Sequence, residues 1–217
     1  MIKKIIITNA RFFWMVIFLL ELLAIISKTH LNTNELTYNF YSDQLILQEQ
    51  IDNLIETQQR WEWLIYLFIP LIVLIRISLV SACLSIGVFF YDMEHKIAFK
   101  RFFRIALIGE LVLALVGYYK FSYFYFIKTD YTLQDLQQYY PLSYINFLNI
   151  EKIQPWLVYL IQTINLFEIA YFFVLVYGIH KLLQNKYWKS FEITVVSYGT
   201  GLVIWLGLVM FLTLNMT

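Results

Sequence analysis

Residues 61–91 read WEWLIYLFIPLIVLIRISLVSACLSIGVFFY, thirty-one residues in which Arg76 is the only charge after Glu62. About 20 apolar residues, rising 1.5 Å each, cross a hydrocarbon core of about 30 Å, so this stretch spans a membrane with length to spare. A helix is the conformation that satisfies its own backbone in lipid. A charged side chain at the bilayer centre costs from about 3 to over 10 kcal/mol, so Arg76 needs a carboxylate or water inside a bundle. The other apolar stretches offer three carboxylates, Glu21, Glu110 and Glu168.

Composition carries the same message to the whole chain. Of 217 residues, 60% are hydrophobic and 14% charged, against about a quarter charged in soluble domains. The fold class expected is all-α: one polytopic membrane bundle over 1–217, with spans near 12–27, 61–91, 102–126, 156–179 and 190–214. A formal net charge of +1 gives no reason to expect nucleic acid as a partner. Cys83 is the only cysteine, which rules out an intrachain disulfide and a thiolate metal cluster. His30, His95 and His180 fall near span ends, so no haem pair, and no metal or other cofactor, is expected. With no Walker, metalloprotease or Ser–His–Asp pattern, no enzyme is expected, and Cys83 reads as a small packing residue.

Taken in order, a short basic start with Lys3, Lys4 and Arg11 leads into the first span, which holds Glu21. A charge inside the apolar run argues for a retained span rather than a cleaved signal. Residues 28–60 and 127–155 are the two polar segments on the other side. From Phe40 onward Leu47, Ile51, Leu54 and Trp61 recur at helical spacing, which predicts an amphipathic helix running into the second span and projecting from the membrane. A surface helix lying on the bundle is the alternative. Thr132-Leu-Gln-Asp135 has capping-box character and predicts a short helix over 133–140, stopped by Pro141.

Charge orients the bundle. Ten basic residues, among them Arg101, Arg104, Lys181, Lys186 and Lys189, flank the spans on the amino-terminal side, and four (Lys28, Arg60, Lys128, Lys152) flank them on the other. The positive-inside rule then puts the amino terminus in the cytoplasm and the carboxy terminus outside. Trp14, Trp61, Trp63, Trp156 and Trp188 mark the interfaces.

Counted from the span ends, Glu21, Arg76, Glu110 and Glu168 fall in one layer. Gln162, Asn165 and Glu168, every third residue of the fourth span, extend it as a stripe facing protein. In one reading the glutamates share a titrating proton held by Arg76. In the other, Arg76 pairs with one glutamate and the rest hydrogen-bond as structural polar contacts. Gly199, Gly201 and Gly207 read as a close helix contact.

The motifs Pro141-Leu-Ser143, Gln162-Thr-Ile-Asn-Leu-Phe-Glu168 and Tyr177-Gly-Ile179, with Ile86-Gly-Val-Phe-Phe90 and Phe99-Lys-Arg-Phe-Phe103, resemble bacterial members of the Yip domain family over 61–217. The resemblance implies five spans and a cytoplasmic amino terminus. The Asp-Leu-x-Gly-Pro signature of eukaryotic relatives is missing, as is their long amino-terminal region, so a GTPase partner does not carry over.

The functional expectation is a non-catalytic protein of the bacterial inner membrane. It would act as scaffold or accessory subunit of an assembly, such as one for secretion or export, and meet other membrane proteins through the 40–60 helix or the spans. The alternative is a small proton- or ion-coupled transporter, or a subunit of one, using the Glu/Arg layer.

Overall fold

The computed structural model describes residues 2–31, 33–42, 48–91 and 97–216, all of them helices and short connections. Asp43, Leu47, Asp92, Glu94 and Lys96 lie outside the described residues. Five stretches are long and apolar enough to cross a membrane: Ala10–His30, Trp63–Tyr91, Phe99–Ile127, Leu166–Leu183 and Tyr187–Asn215. The chain is accordingly a multi-pass membrane protein.

Helix α1 (Ile2–His30) contains the first span. Helices α2 (Thr33–Ser42) and α3 (Gln48–Trp61) pack on each other. Glu62 forms a one-residue turn before α4 (Trp63–Tyr91), so the second span starts two residues later than its apolar run. Glu62 also pairs with Lys28, tying the end of α1 to this turn. Helix α5 (Phe99–Ser122) continues through a π-helical turn, Tyr123–Ile127.

Burial follows helical spacing. Along α4 the buried apolar positions are Val73, Ile77, Val80, Leu84 and Val88, one stripe about 15 residues long that also takes in Ser81. It meets Phe102, Ile105, Ala106 and Leu107 of α5. Val16 and Ile17 of α1 join the same core, as do Tyr171, Leu175 and Ile179 of helix α8 (Leu166–Leu183). Association inside lipid depends on close packing, because lipid is as apolar as leucine. Glycine supplies it here: a Cβ built on Gly109 would stand 2.5 Å from the Tyr171 ring, and one on Gly178 would stand 2.4 Å from Ile105. Those two contacts draw α5 and α8 together.

The fourth span is not one helix. Helix α7 (Pro155–Thr163) stops, Ile164 and Asn165 are non-helical, and α8 starts at Leu166. This corrects the expected continuous span over 156–179. Pro155 sits at the start of α7, where its missing N–H costs nothing. The freed backbone at the break is satisfied by the connection that precedes α7. Tyr144 N–H donates to Ile164 O at 3.1 Å, and Leu166 N–H donates to Leu142 O at 3.2 Å. The buried Ser143 hydroxyl lies 3.2–3.3 Å from the carbonyls of Ile161, Gln162 and Ile164. Irregular backbone near a membrane persists where protein covers it in this way. The same connection holds helix α6 (Leu133–Gln138), where Thr132 and Asp135 form the expected capping box.

Helix α9 (Tyr187–Thr194), a π-helical turn (Val195–Gly199) and α10 (Thr200–Met216) form the last rod. It touches α4 where Gly87 meets Ser197 and where Gly201 meets Cys83. Gly201 thus makes the expected close contact, whereas a Cβ on Gly199 or Gly207 would meet nothing within 4 Å. Above Gly201 the rod leans on α7, with Trp205 Nε1 donating to the Tyr159 hydroxyl at 3.0 Å.

Candidate functional site

Arg76 lies beside the buried stripe of α4 rather than on it, and reaches across to α5. Its Nε donates to Glu110 Oε1 at 2.9 Å and its Nη2 donates to Glu110 Oε2, a two-point carboxylate clamp. Glu110 follows Gly109, so the close approach to Tyr171 carries its carboxylate inward, and its side chain is fully buried. The Arg76 side chain keeps 43% of its surface outside the bundle. Counting 1.5 Å per residue from Tyr91, the Arg76 Cα stands about 22 Å along the helix from the basic end of α4. That depth is inside the hydrocarbon region.

A second pair lies beside the first. The Tyr198 hydroxyl, brought in by the π-helical turn of the last rod, donates to Glu168 Oε1. Glu168 occupies the first turn of α8, and its N–H donates to the Asn165 side-chain oxygen at 2.8 Å. The open amino end of a helix favours a carboxylate in this position. Arg76, Glu110, Glu168 and Tyr171 lie within electrostatic reach of one another, and Tyr140 of the connection before α7 lies within the same reach of Arg76 and Glu168. Burial is the main cause that holds the Tyr140 hydroxyl above the usual tyrosine range, followed by the nearby Tyr159 hydroxyl and Glu168. Tyr171 is 1% exposed, and its hydroxyl finds no hydrogen-bond partner among the described residues.

The expected layer is thus assembled in part. Arg76, Glu110 and Glu168 come together. Glu21 shares no hydrogen bond or ion pair with them among the described residues. Leu23 packs against Gly117, which levels Glu21 with residue 115 or so, about 7 Å along α5 from Glu110. Counting from apolar boundaries missed this offset, because α1 begins many residues before its apolar run.

The stripe of Gln162, Asn165 and Glu168 does not exist as such, because the helix breaks inside it. Asn165 is the N-cap of α8, with φ −142° and ψ 159°, and its amide nitrogen donates to the carbonyls of Gln162 and Thr163. Gln162 contributes its backbone carbonyl to the Ser143 hydroxyl. The sequence did hold the signal: Asn165-Leu-Phe-Glu168 is a capping pattern, with an amide cap and an acid three residues on. Tyr171, three residues beyond Glu168, lies at the spacing that continues the polar positions and joins the site, whereas Tyr198 comes from an apolar run where nothing in the residue pattern singles it out.

No group of three or more His, Cys, Asp or Glu able to hold a metal ion occurs among the described residues. Comparison with protein-family models, with curated proteins and with solved structures finds no match to this chain.

Proposed function

We propose that this chain is a non-catalytic subunit of an inner-membrane assembly, with its cytoplasmic end at the basic side of the bundle and α2–α3 at the outer side. The observation that carries this is the outward edge of Arg76. Glu110 satisfies two of its donors, yet 43% of the side chain remains outside the bundle at a depth where lipid offers no acceptor. A guanidinium cannot shed its charge, so that edge calls for an acceptor from a neighbouring helix. The α4 surface around it, Ile72 and Leu79, is apolar and exposed, as suits a helix–helix contact. The Yip-family resemblance, with its five spans, belongs to this reading.

The test is site-specific photocrosslinking from positions 72 and 79 in intact membranes, together with the protein mass of the gently solubilised particle. A discrete crosslinked protein at both positions, and a mass of at least two subunits, is expected. A 26.1 kDa particle without adducts would overturn the reading.

A second reading has its own observation. With both carboxylates ionised and Arg76 charged, the cluster carries +1 − 2 = −1, and the Tyr171 hydroxyl beside it is buried without a partner. One proton or monovalent cation would complete it. Under this reading, Glu168→Gln abolishes pH-driven flux in proteoliposomes and leaves the melting temperature unchanged. Flux that survives the substitution would exclude it.

A further inference from the structure

The basic end of the bundle carries a groove that neither reading uses. It lies between α5 and α8, encloses about 460 Å³, and has Lys100, Arg101, Arg104 and Lys181 along it, with no acidic residue lining it among the described residues. The two helices run in opposite directions, and the contact of Ile105 with Gly178 fixes their register. In that register Arg101 and Arg104 stand level with Lys181, while Ile108 stands level with Val174, farther toward the membrane interior. On α5 the positions 101, 104 and 108 share one face, as 174, 177 and 181 do on α8. The groove is therefore graded over about 10 Å, from cations at its mouth to aliphatic side chains at its inner end. Tyr177 lies between, 54% exposed, with Lys181 Nζ 5.5 Å from its ring centroid.

We infer that this groove binds one anionic phospholipid, with its phosphate against Arg101, Arg104 and Lys181 and an acyl chain along Ile108 and Val174. Three arguments favour a lipid over a soluble anion. The groove opens along the bundle's side, where lipid is the solvent. Its inner half is apolar and would gain nothing from phosphate alone. Basic pockets between spans at the positively charged end suit anionic head groups, and guanidinium groups match the geometry of phosphate oxygens.

Native mass spectrometry of the full chain in detergent, with equal palmitoyl-oleoyl phosphatidylglycerol and phosphatidylcholine, tests the site. One retained phosphatidylglycerol per chain is expected, at collision energies that strip phosphatidylcholine. Arg101→Gln/Arg104→Gln/Lys181→Gln should lower that retention at least tenfold. Ile108→Trp, which fills the apolar end and leaves every charge in place, should also lower it. Should the triple variant fail to fold, Lys181→Gln alone, expected to lower retention about fivefold, carries the charge test with Ile108→Trp. Equal retention of the two lipids would overturn the inference. So would retention unchanged by Ile108→Trp, which marks a diffuse charge effect, or displacement by millimolar inorganic phosphate, which marks a soluble-anion site.

Discussion

Removing Glu110 and removing Arg76 should have unequal consequences. Glu110→Leu leaves a guanidinium beside a closed core with two of its donors unpaired. Arg76→Leu leaves a carboxyl, fully buried, that can bind a proton and become neutral. Breaking a buried pair by removing one partner costs about 3–5 kcal/mol. The 43% exposure of Arg76 lets its freed edge find water in a micelle, which reduces the figure to about 2–3 kcal/mol for Glu110→Leu. Arg76→Leu should cost less, about 1–2 kcal/mol, with the carboxyl still unpaired. The double variant should recover most of the loss, because two apolar side chains of suitable volume replace a desolvated pair at little cost. Tryptophan-fluorescence melting in one detergent reads the series. At about 2–4 °C per kcal/mol for a chain of this size, Glu110→Leu should lower the midpoint by about 4–12 °C. Strictly additive losses in the double variant, or a larger loss for Arg76→Leu than for Glu110→Leu, would refute the pairing energetics.

Other substitutions separate the remaining contacts. Gly109→Ala drives a methyl to 2.5 Å from the Tyr171 ring and should cost about 1–3 kcal/mol. Gly207→Ala, with nothing within 4 Å, should be neutral or stabilising by up to about 1 kcal/mol; equal melting shifts for the two would contradict the α5–α8 contact. Asn165→Ala removes the cap of α8 at a cost of about 1 kcal/mol, and should speed amide exchange at Leu166–Glu168 while sparing the middle of α8. The Lys128 hydrogen bond, 2.7 Å in the ion pair, and the Thr132 N–H hold the Asp135 carboxyl below the usual range. Its contribution to α6 is therefore complete above the ordinary carboxylate pKa and fades as pH falls through the lowered value. Proton titration of the Asp135 N–H resonance should show that midpoint below 3.8; a midpoint at or above it would contradict the cap.

Span number was readable because hydrophobic length is a one-dimensional property. The stretches around Trp63–Tyr91 and Phe99–Ile127 have no other stable arrangement in lipid. The Arg76–Glu110 pairing was narrowed to three candidates by cost alone, since a guanidinium in hydrocarbon has few remedies. Register decided the rest. Glu21 left the layer because the Leu23–Gly117 contact slides α1 relative to α5, a displacement that depends on side-chain shape across an interface. The break at Ile164–Asn165 was masked by apolar continuity on both sides, although the Asn165 cap marked it. Its stability comes from Ser143, twenty-two residues earlier in the chain, a relation that local spacing does not encode. Tyr198 enters through a π-helical turn, whose extra residue shifts the face that a 3.6-residue period assigns to it.

Labelling with a lipid-soluble carbene, in native membranes and after dispersal to single chains in detergent, tests the subunit account most directly. Ile72 and Leu79 should be protected in the membrane and labelled after dispersal, while Phe211, 63% exposed, serves as the lipid-facing reference. Labelling of Ile72 and Leu79 at the Phe211 level in native membranes would mean that Arg76 faces lipid unaided, and the proposed partner helix would have no place.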